Sequence, residues 1–507
     1  MGGEIKYGKI DLHSINKETW ATTRIPIPIS FQSPFNSYLI NIEFDLSQYH
    51  DKNICILTYD IPNHFEKIYI NGELTNLSTE FNYQGFNLTF LFKNILIWGL
   101  FIFLIHSFVT LVKRFDAKFF VIFIAFFRLL IEFFVKTPFS GAINGQPASL
   151  WINNYQDMGF MRRALFGSLI RIFDVWLPEE EIKYLAIFLF LIVFITILYF
   201  LYHEIKASSN DDISFLACVY VCSPFFVLYY FNNWLIPLMD YALLGILILC
   251  LIVLKQKKYL LVLIFSIVGM LIHEMFIFFI YPALFSILFY FYASYKNKIA
   301  LFYSLIIFLL SVLLLVAFQV NTIPFNDFND LLSYLKTRTN LDVNYWYSVY
   351  YFTSKYTANH TDYIDIIKLN LPTKSIISYI VLSPVLYIYY KILLLSFKSE
   401  LKRNKRIFIS YILFSLLPAT AFLGYLTASD YGRWLVMSLS MSFFMLLFLC
   451  SRERSFIIGF AKSSKYLSSK FGRNWYLYIC LYLIIIGFGT TASLNLSDKI
   501  VNFINFL

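Results

Sequence analysis

The residues best equipped for chemistry lie in one polar stretch, 154–167, between two long apolar segments. Within it, Asp157 precedes Arg162 and Arg163 by five and six residues. A carboxylate can take a proton from an attacking hydroxyl group, and the planar guanidinium group of arginine can bind two phosphate oxygens. The stretch therefore predicts a general base close to a phosphate-binding pair. A structural alternative is that Asp157 serves a turn or a helix cap, and that the arginines anchor a helix at the membrane surface.

Other ionisable residues lie within or beside apolar segments, where a charge is costly and therefore indicates function. His273 and Glu274 are adjacent in the middle of an apolar stretch, and Asp430 and Arg433 flank a short turn between two others. No second histidine follows at the spacing of a zinc motif, so the His–Glu pair does not predict zinc. The alternatives are a satisfied polar pair at His273 and Glu274, and an ion pair across a tight turn at Asp430 and Arg433.

The elements that position these residues are membrane helices. The 507-residue chain is 59% hydrophobic and 14% charged, whereas a soluble domain carries roughly 25% charged residues. Its mean hydropathy is +0.65, and apolar runs long enough to cross a bilayer recur along it. We predict an all-α polytopic membrane protein with about 12 transmembrane helices, near 92–112, 118–136, 184–202, 213–231, 235–254, 259–275, 277–294, 300–319, 375–396, 407–427, 432–450 and 476–493.

Residues 1–90 follow a different pattern. Apolar and polar residues alternate over 40–46, which is typical of a strand, and 67–70 lead into Asn71 and Gly72, a pair that favours a hairpin turn. We predict a small extracytoplasmic β-sandwich-like domain over 1–90, followed by a transmembrane helical domain over 91–507. The first domain would bind glycan or a partner subunit, or be a passive appendage. No signal peptide is visible before it, so we expect either a first span acting as a reverse anchor or a natural chain that begins earlier.

Lys and Arg in the connections orient the bundle, because short cytoplasmic loops are enriched in both. Basic residues recur at 113–118, 255–258, 296–298, 398–406 and 452–473, and these connections alternate with the others. We therefore place them in the cytoplasm, and place the loops 137–183 and 320–374 and the turn at Asp430 outside. The net charge of +10 follows from this distribution, so it does not predict a nucleic-acid partner.

The outer side thus collects most of the candidate residues, namely Asp157, Arg162, Arg163, His273, Glu274, Asp430 and Arg433. Next to the arginines, Leu165, Leu169, Phe173 and Trp176 fall on one face of a helix predicted over 163–176. Such an apolar face predicts a helix lying in the outer interface.

This combination matches glycosyl transfer from a polyprenyl-phosphate-linked sugar to an acceptor outside the cytoplasm. Asp157 would accept the proton of the attacking hydroxyl group. Arginines would hold the leaving phosphate or pyrophosphate, namely Arg162, Arg163 and Arg433. Three further residues would support them as acid–base groups or as metal or sugar ligands, namely His273, Glu274 and Asp430. A divalent metal on Asp157, Glu274 and Asp430 is an option that no spacing requires.

The order of span, outer loop with an acidic residue, interfacial helix and further spans resembles the GT-C membrane glycosyltransferases over residues 118–300. In that family an acidic residue of the first extracytoplasmic loop is the catalytic base, and the resemblance assigns this role to Asp157. In this chain, however, the loop follows the second span, and the paired acidic motif common in the family is absent. The plan also resembles bacterial O-antigen and capsule repeat-unit polymerases, with about a dozen spans, a large late outer loop at 320–374 and outward arginines.

We therefore expect a glycosyltransferase of the bacterial inner membrane whose site faces the periplasm or exterior. It would act on undecaprenyl-(pyro)phosphate-linked glycans in surface polysaccharide biosynthesis. The expected partners are this lipid-linked sugar, a glycan acceptor, membrane lipid and a chain-length or assembly partner. One alternative is a lipid-linked oligosaccharide flippase or transporter, which the scarcity of charges in the central spans, apart from Arg128 and Glu132, disfavours. Another is a non-catalytic assembly protein that works through residues 1–90.

Overall fold

The structure, a computed structural model, describes residues 68–70, 73–75, 117–136, 148–174, 176–208, 213–231, 235–320, 325, 328–341, 378–401, 406–425, 431–472 and 475–487. The chain divides into two compact units, Met1–Thr110 and Leu111–Leu507. The strand predicted at 40–46, the span predicted at 92–112, most of the loop 320–374 and Asp430 lie outside the described residues.

The first unit contains a short hairpin. Strands β1 (Ile68–Ile70) and β2 (Glu73–Thr75) pair antiparallel, with Ile70 opposite Glu73. This register leaves two residues between the strands, as the Asn71–Gly72 pair predicts. The β-sandwich-like domain around the hairpin stays a prediction.

The second unit is helical in its described parts. Its helices are α1 (Ala117–Lys136), α2 (Tyr155–Met158), α3 (Leu165–Arg171), α4 (Glu179–Ala207), α5 (Ile213–Cys222), α6 (Asp240–Lys255), α7 (Tyr259–Ile272), α8 (Ile280–Tyr295), α9 (Lys298–Val320), α10 (Phe328–Arg338), α11 (Ser383–Glu400), α12 (Ile407–Leu416), α13 (Ala421–Tyr425), α14 (Tyr431–Cys450), α15 (Arg454–Phe471) and α16 (Trp475–Gly487).

Six helical segments of the described chain are long and apolar enough to cross a membrane: Glu179–Ala207, Ile213–Tyr230, Glu274–Tyr295, Lys298–Phe318, Ile407–Gly424 and Gly432–Cys450. Shorter apolar helices cover Val121–Leu130, Tyr259–Ile272 and Trp475–Ile484. These segments confirm the predicted class, an all-α membrane protein, while the count of about 12 spans stays a prediction.

Contacts between helix ends sort the connections into two sets. The turn after α8 lies beside the start of α7, because Asn297 Nδ2 donates a 2.6 Å hydrogen bond to the Tyr259 hydroxyl group. Near the end of α4, the Glu204 carboxylate pairs with Arg452, just after α14. The Tyr295 hydroxyl group, at the end of α8, also contacts Glu453. We call this end of the bundle the basic end; in the described part of the chain it comprises 204–208, 255–259, 295–298, 400–401, 406–407 and 450–454. The described basic residues at 255–258, 296–298 and 452–454 thus lie at one end, and the cytoplasmic location of the basic end stays a prediction.

The opposite end, which we call the site end, comprises 148–174, 176–178, 235–240, 273–279 and 431–434. Here α7 and α8 meet in a reversal of the chain, since their far ends are joined by the contact of Tyr259 with Asn297. The 14 residues of α7 reach about 21 Å, less than the roughly 30 Å of a hydrocarbon core. The reversal separates two helices where the sequence predicts two spans.

Helix α5 stops short of the predicted span end because Pro224 follows it and cannot donate a helical hydrogen bond. The carbonyl groups left open are bound by Arg128 of α1, whose guanidinium group donates to Val221 O and, at 2.9 Å, to Ser223 O. A cation at a helix C-terminus also suits the helix dipole. Arg128 therefore binds the open end of the broken helix α5, which is a structural role.

The basic stretch 452–473, predicted as a connection, is mostly the helix α15, which packs on α11. Gly459 makes this possible, because a Cβ atom there would lie 2.6 Å from the Ser396 backbone nitrogen. One face of α15 buries Phe456 and Phe460, while its lysines face outward, so the prediction of a loop is corrected. A helix with one apolar stripe packs well without crossing the membrane.

Candidate functional site

The segment 148–178 covers the site end with short helices. The interfacial helix predicted over 163–176 is wrong in extent, since only the seven residues of α3 are helical. Asp174 turns the chain with a φ of 50°, and Leu177 N then donates to Arg338 O at 2.8 Å, which ties the segment to α10. The predicted apolar face is nevertheless exposed: Ile172, Phe173 and Trp176 are 67%, 77% and 50% accessible.

Arg163 and Glu274 form a two-pronged ion pair at this end. Arg163 Nε lies 2.9 Å and 3.1 Å from the two Glu274 carboxylate oxygens, and its Nη2 atom also contacts Oε1. Arg162 Nη1 lies 3.8 Å from the same carboxylate. The fork of guanidinium matches the carboxylate geometry, which makes such pairs strong. Arginines adjacent in sequence thus converge on one anion.

The backbone of Arg163 explains this convergence. Side chains of consecutive residues normally point in different directions along a regular backbone. Arg163 has a φ of 58°, in the left-handed region, which costs a residue with a Cβ atom roughly 1–2 kcal/mol. The surrounding contacts must offset this strain, and such strained positions cluster at functional sites.

His273 links Glu274 to a second carboxylate. It is the extended residue that ends α7, and its Nδ1 atom accepts a 3.1 Å hydrogen bond from Met275 N. The ring proton is therefore assigned to Nε2, which lies 3.0 Å from Asp240 Oδ1. His273 and Asp240 are both fully buried, and His273 Nδ1 is also 3.4 Å from Glu274 Oε2. The imidazole thus stands between two carboxylates.

Asp240 in turn holds Arg433. The Arg433 Nε atom lies 2.7 Å from Asp240 Oδ2, and its guanidinium group stacks 4.6 Å from the Trp434 ring centre. Tyr230 fixes the backbone by donating to Arg433 O at 3.1 Å. The predicted partner of Arg433, Asp430, lies outside the described residues. Asp240, which is not among the candidate residues predicted from the sequence, is therefore the hub of this group.

We call the linked residues the buried chain: Arg162, Arg163, Glu274, His273, Asp240 and Arg433. It carries three guanidinium groups and two carboxylates, so with a neutral imidazole it has an excess of positive charge. Beside it, the buried Trp434 indole nitrogen has no hydrogen-bond acceptor within the described residues.

Asp157 belongs to a neighbouring cluster and not to the arginines that precede α3. Its Oδ2 atom accepts 2.6 Å hydrogen bonds from Arg171 Nε and from the Tyr334 hydroxyl group. Asn154 caps α2 by accepting from Asp157 N at 2.7 Å, so the capping role falls to Asn154. The direct ion-pair partner of Asp157 is thus Arg171, and the predicted proximity of Asp157 to Arg162 and Arg163 stays a prediction.

The partners of Asp157 keep it ionised. Burial alone would raise the pKa of its carboxyl group, but hydrogen bonds from Arg171 and Tyr334 outweigh it, so the pKa lies below the ordinary 3.8. Burial and the bond to Asp157 raise the Tyr334 pKa to about 12. A small open recess, with a cavity volume of about 10 Å³, has Asn154, Arg171 and Arg338 in its wall. The Asp157 carboxylate is thus charged at neutral pH, and its side chain is 24% exposed.

A metal site was an open option in the sequence. Among the residues that the structure describes, no three His, Cys, Asp or Glu side chains are arranged to hold a metal ion. Asp157 and Glu274 each bind an arginine instead, and the third predicted ligand, Asp430, is outside this part of the chain.

Comparisons with models of known families, with curated proteins and with solved structures find no match to this chain.

Proposed function

We propose that this protein is a membrane glycosyltransferase that uses a sugar donor linked to polyprenyl phosphate or pyrophosphate. The observation that carries the proposal is the convergence of Arg162, Arg163 and Arg433 in the buried chain at the site end. Phosphate leaving groups need such a positive, preorganised environment, because it stabilises the charge that develops as the bond to the sugar breaks.

The depth of the group suits a lipid-linked anion. Helix α6 has 16 residues and α7 has 14, so the first residue of α6 and the last residue of α7 lie about 21–24 Å from the basic end. With the basic end at one membrane surface, the buried chain would lie near the opposite boundary between hydrocarbon and headgroups. At this depth a polyprenyl tail would remain among apolar helix surfaces while its phosphate reaches the arginines.

In the proposed reaction, each of these residues has a separate role. The acceptor hydroxyl oxygen attacks the anomeric carbon of the donor sugar, and its proton passes to the Asp157 carboxylate. The bond from that carbon to the phosphate oxygen breaks, and its electron pair leaves on the phosphate, which Arg162 and Arg163 contact. His273 and Asp240 are fully buried, so we assign them positioning roles for Glu274 and Arg433.

The location and partners follow from the loop charges. With the basic end in the cytoplasm of a bacterium, the site end faces the periplasm or exterior. An undecaprenyl-linked glycan would then be the donor, and the acceptor would be a growing surface polysaccharide such as O-antigen or capsule. A chain-length or assembly partner would be recruited at the same face.

Replacing the cellular gene by variants tests the proposal. Arg163→Lys keeps a charge but removes the fork, so it should reduce polymer about 100-fold or more, in line with loss of one charge-stabilising donor. Asp157→Asn should do the same and leave the lipid-linked precursor to accumulate. The matched control is Arg452→Lys, which alters the similar pair with Glu204 at the basic end. Unchanged polymer in both site variants, at normal protein level, would overturn the proposal.

A further inference from the structure

We infer that the Glu274 carboxylate occupies the position that a substrate diphosphate takes during turnover, so that the site is self-occupied and the ligand must displace Glu274 from the arginines. The identity of the anion rests on the proposed function, whereas the displacement itself rests on the geometry of Arg162, Arg163 and Glu274.

The contacts of Glu274 resemble those of a bound oxyanion. Both of its oxygens accept from Arg163 Nε, at 3.1 Å and 2.9 Å, and Oε1 also accepts from Arg163 Nη2, a charge-assisted contact that arginine also makes with phosphate. Arg162 approaches the same oxygens only to 3.8 Å, beyond hydrogen-bond range. The Glu274 carboxylate therefore hydrogen-bonds Arg163 and pairs with Arg162 through charge alone. A diphosphate offers more oxygens and more charge, and would span them.

Accessibility separates this pair from the rest of the buried chain. The side chains of Arg162, Arg163 and Glu274 are 24%, 11% and 12% exposed, whereas those of His273 and Asp240 are completely buried. An anion arriving at the site end thus meets the Glu274 pair first. His273 and Asp240 would keep their positions while Glu274 moves away from Arg163.

The backbone also supports exchange at this position. Glu274 opens a single 3-10 turn after the extended residue His273, so no long helix fixes its side chain. The strained φ of 58° at Arg163 holds both arginines towards one point even though a permanent ion pair would need only one of them. A purely structural pair gives no reason for this convergence.

The two explanations differ in what neutralising Glu274 does. If the pair is structural, Glu274→Gln leaves Arg163 without its partner, and the protein is destabilised with no gain in affinity for anions. If Glu274 stands in for the ligand, the variant removes a competing charge. Affinity for a diphosphate should then rise about 10- to 100-fold, the range of one charged hydrogen-bonded interaction.

The test uses purified full-length protein in nanodiscs of phosphatidylcholine, with binding followed by calorimetry. Geranyl diphosphate, inorganic pyrophosphate and inorganic phosphate are the probes. We expect Glu274→Gln to bind geranyl diphosphate and pyrophosphate at least about tenfold more tightly than the unaltered protein, and phosphate with a smaller gain. Glu204→Gln, at the basic end, is the control and should leave all three affinities unchanged.

A second variant and a second lipid composition complete the experiment. Glu274→Asp, shorter by one methylene group, should give an intermediate gain in affinity for diphosphate, and it replaces Glu274→Gln if that variant does not fold. A second set of nanodiscs contains phosphatidylglycerol; a loss of the gain there identifies a lipid headgroup as the occupant. Equal or weaker diphosphate binding in the folded variants would overturn the inference. A gain in affinity without any glycosyl transfer would instead keep the inference and reject the proposed function.

Discussion

Asp240 offers the sharpest test of the buried chain, because one neutral substitution of nearly equal shape removes its hub. Asp240→Asn keeps the volume of the side chain but deletes the charge that faces Arg433 and His273. The site end should then lose its order while the membrane helices remain. The result separates a structural network that holds the arginines from a chance grouping of charges.

The size of the effect follows from burial and distance. The Asp240 carboxylate is fully buried, 2.7 Å from Arg433 Nε and 3.0 Å from His273 Nε2. Removing one member of a buried pair leaves the other charge uncompensated, which costs about 3–5 kcal/mol. Asp240 also begins α6, where a negative charge contributes about 0.3–1 kcal/mol through the helix dipole. We therefore expect Asp240→Asn to lower the free energy of unfolding by about 3–5 kcal/mol.

A double-mutant cycle measures the coupling directly. Unfolding of the purified protein is followed by tryptophan fluorescence in mixed micelles of rising SDS content. The double variant Asp240→Asn with Arg433→Gln should recover part of the loss, giving a coupling energy of about 2 kcal/mol or more. The pair Glu204 and Arg452 provides the same cycle at the basic end. A loss below about 1 kcal/mol for Asp240→Asn, or strictly additive variants, would refute this reasoning.

Three further predictions concern the cluster around Asp157. Because hydrogen bonds lower the Asp157 pKa below 3.8, the stabilisation by Arg171 is complete above that pH and is lost as the pH falls through the lowered value. The infrared difference spectrum between the protein and Asp157→Asn should therefore keep its carboxylate band down to pH 3.8. Loss of that band above pH 3.8 would contradict this prediction. Tyr334→Phe should raise amide hydrogen exchange over 155–158 about tenfold, the effect of one hydrogen bond to a charged group, whereas unchanged exchange would speak against the bond. Gly167→Ala would put a Cβ atom 2.0 Å from the Asn153 carbonyl oxygen, so the same exchange measurement should detect a loosened segment, and normal protection there would show that the contact yields.

Local patterns predict the all-α class and many of the described helices of this chain. Apolar runs of sufficient length specify helices whatever their neighbours, and the alternation of basic connections correctly brings Arg163, Glu274 and Arg433 to one end. The turn between β1 and β2 is equally local, because its geometry depends on two residues. These features need no knowledge of distant contacts.

The pairings themselves depend on contacts far apart in the chain. Asp157 meets Tyr334 of α10, and Asp240 meets Arg433 of α14, so no spacing within a short window predicts either contact. The same holds for the hydrogen bond from Leu177 N to the backbone of Arg338, which ties the segment after α3 to α10. The sequence does contain an indication that Arg171 forms an ion pair, since Asp174 follows it at the i, i+3 spacing of helical ion pairs.

The most direct test of the proposed function is transfer by the isolated protein. Full-length protein in nanodiscs would receive an undecaprenyl-pyrophosphate-linked oligosaccharide and an acceptor glycan, and mass spectrometry would follow the released undecaprenyl pyrophosphate. The proposal predicts release of undecaprenyl pyrophosphate by the unaltered protein and by Arg452→Lys. For Arg163→Lys it predicts that the rate of release falls about 100-fold or more. Equal release by Arg163→Lys, or no release from any polyprenyl-linked donor by the unaltered protein, would contradict it.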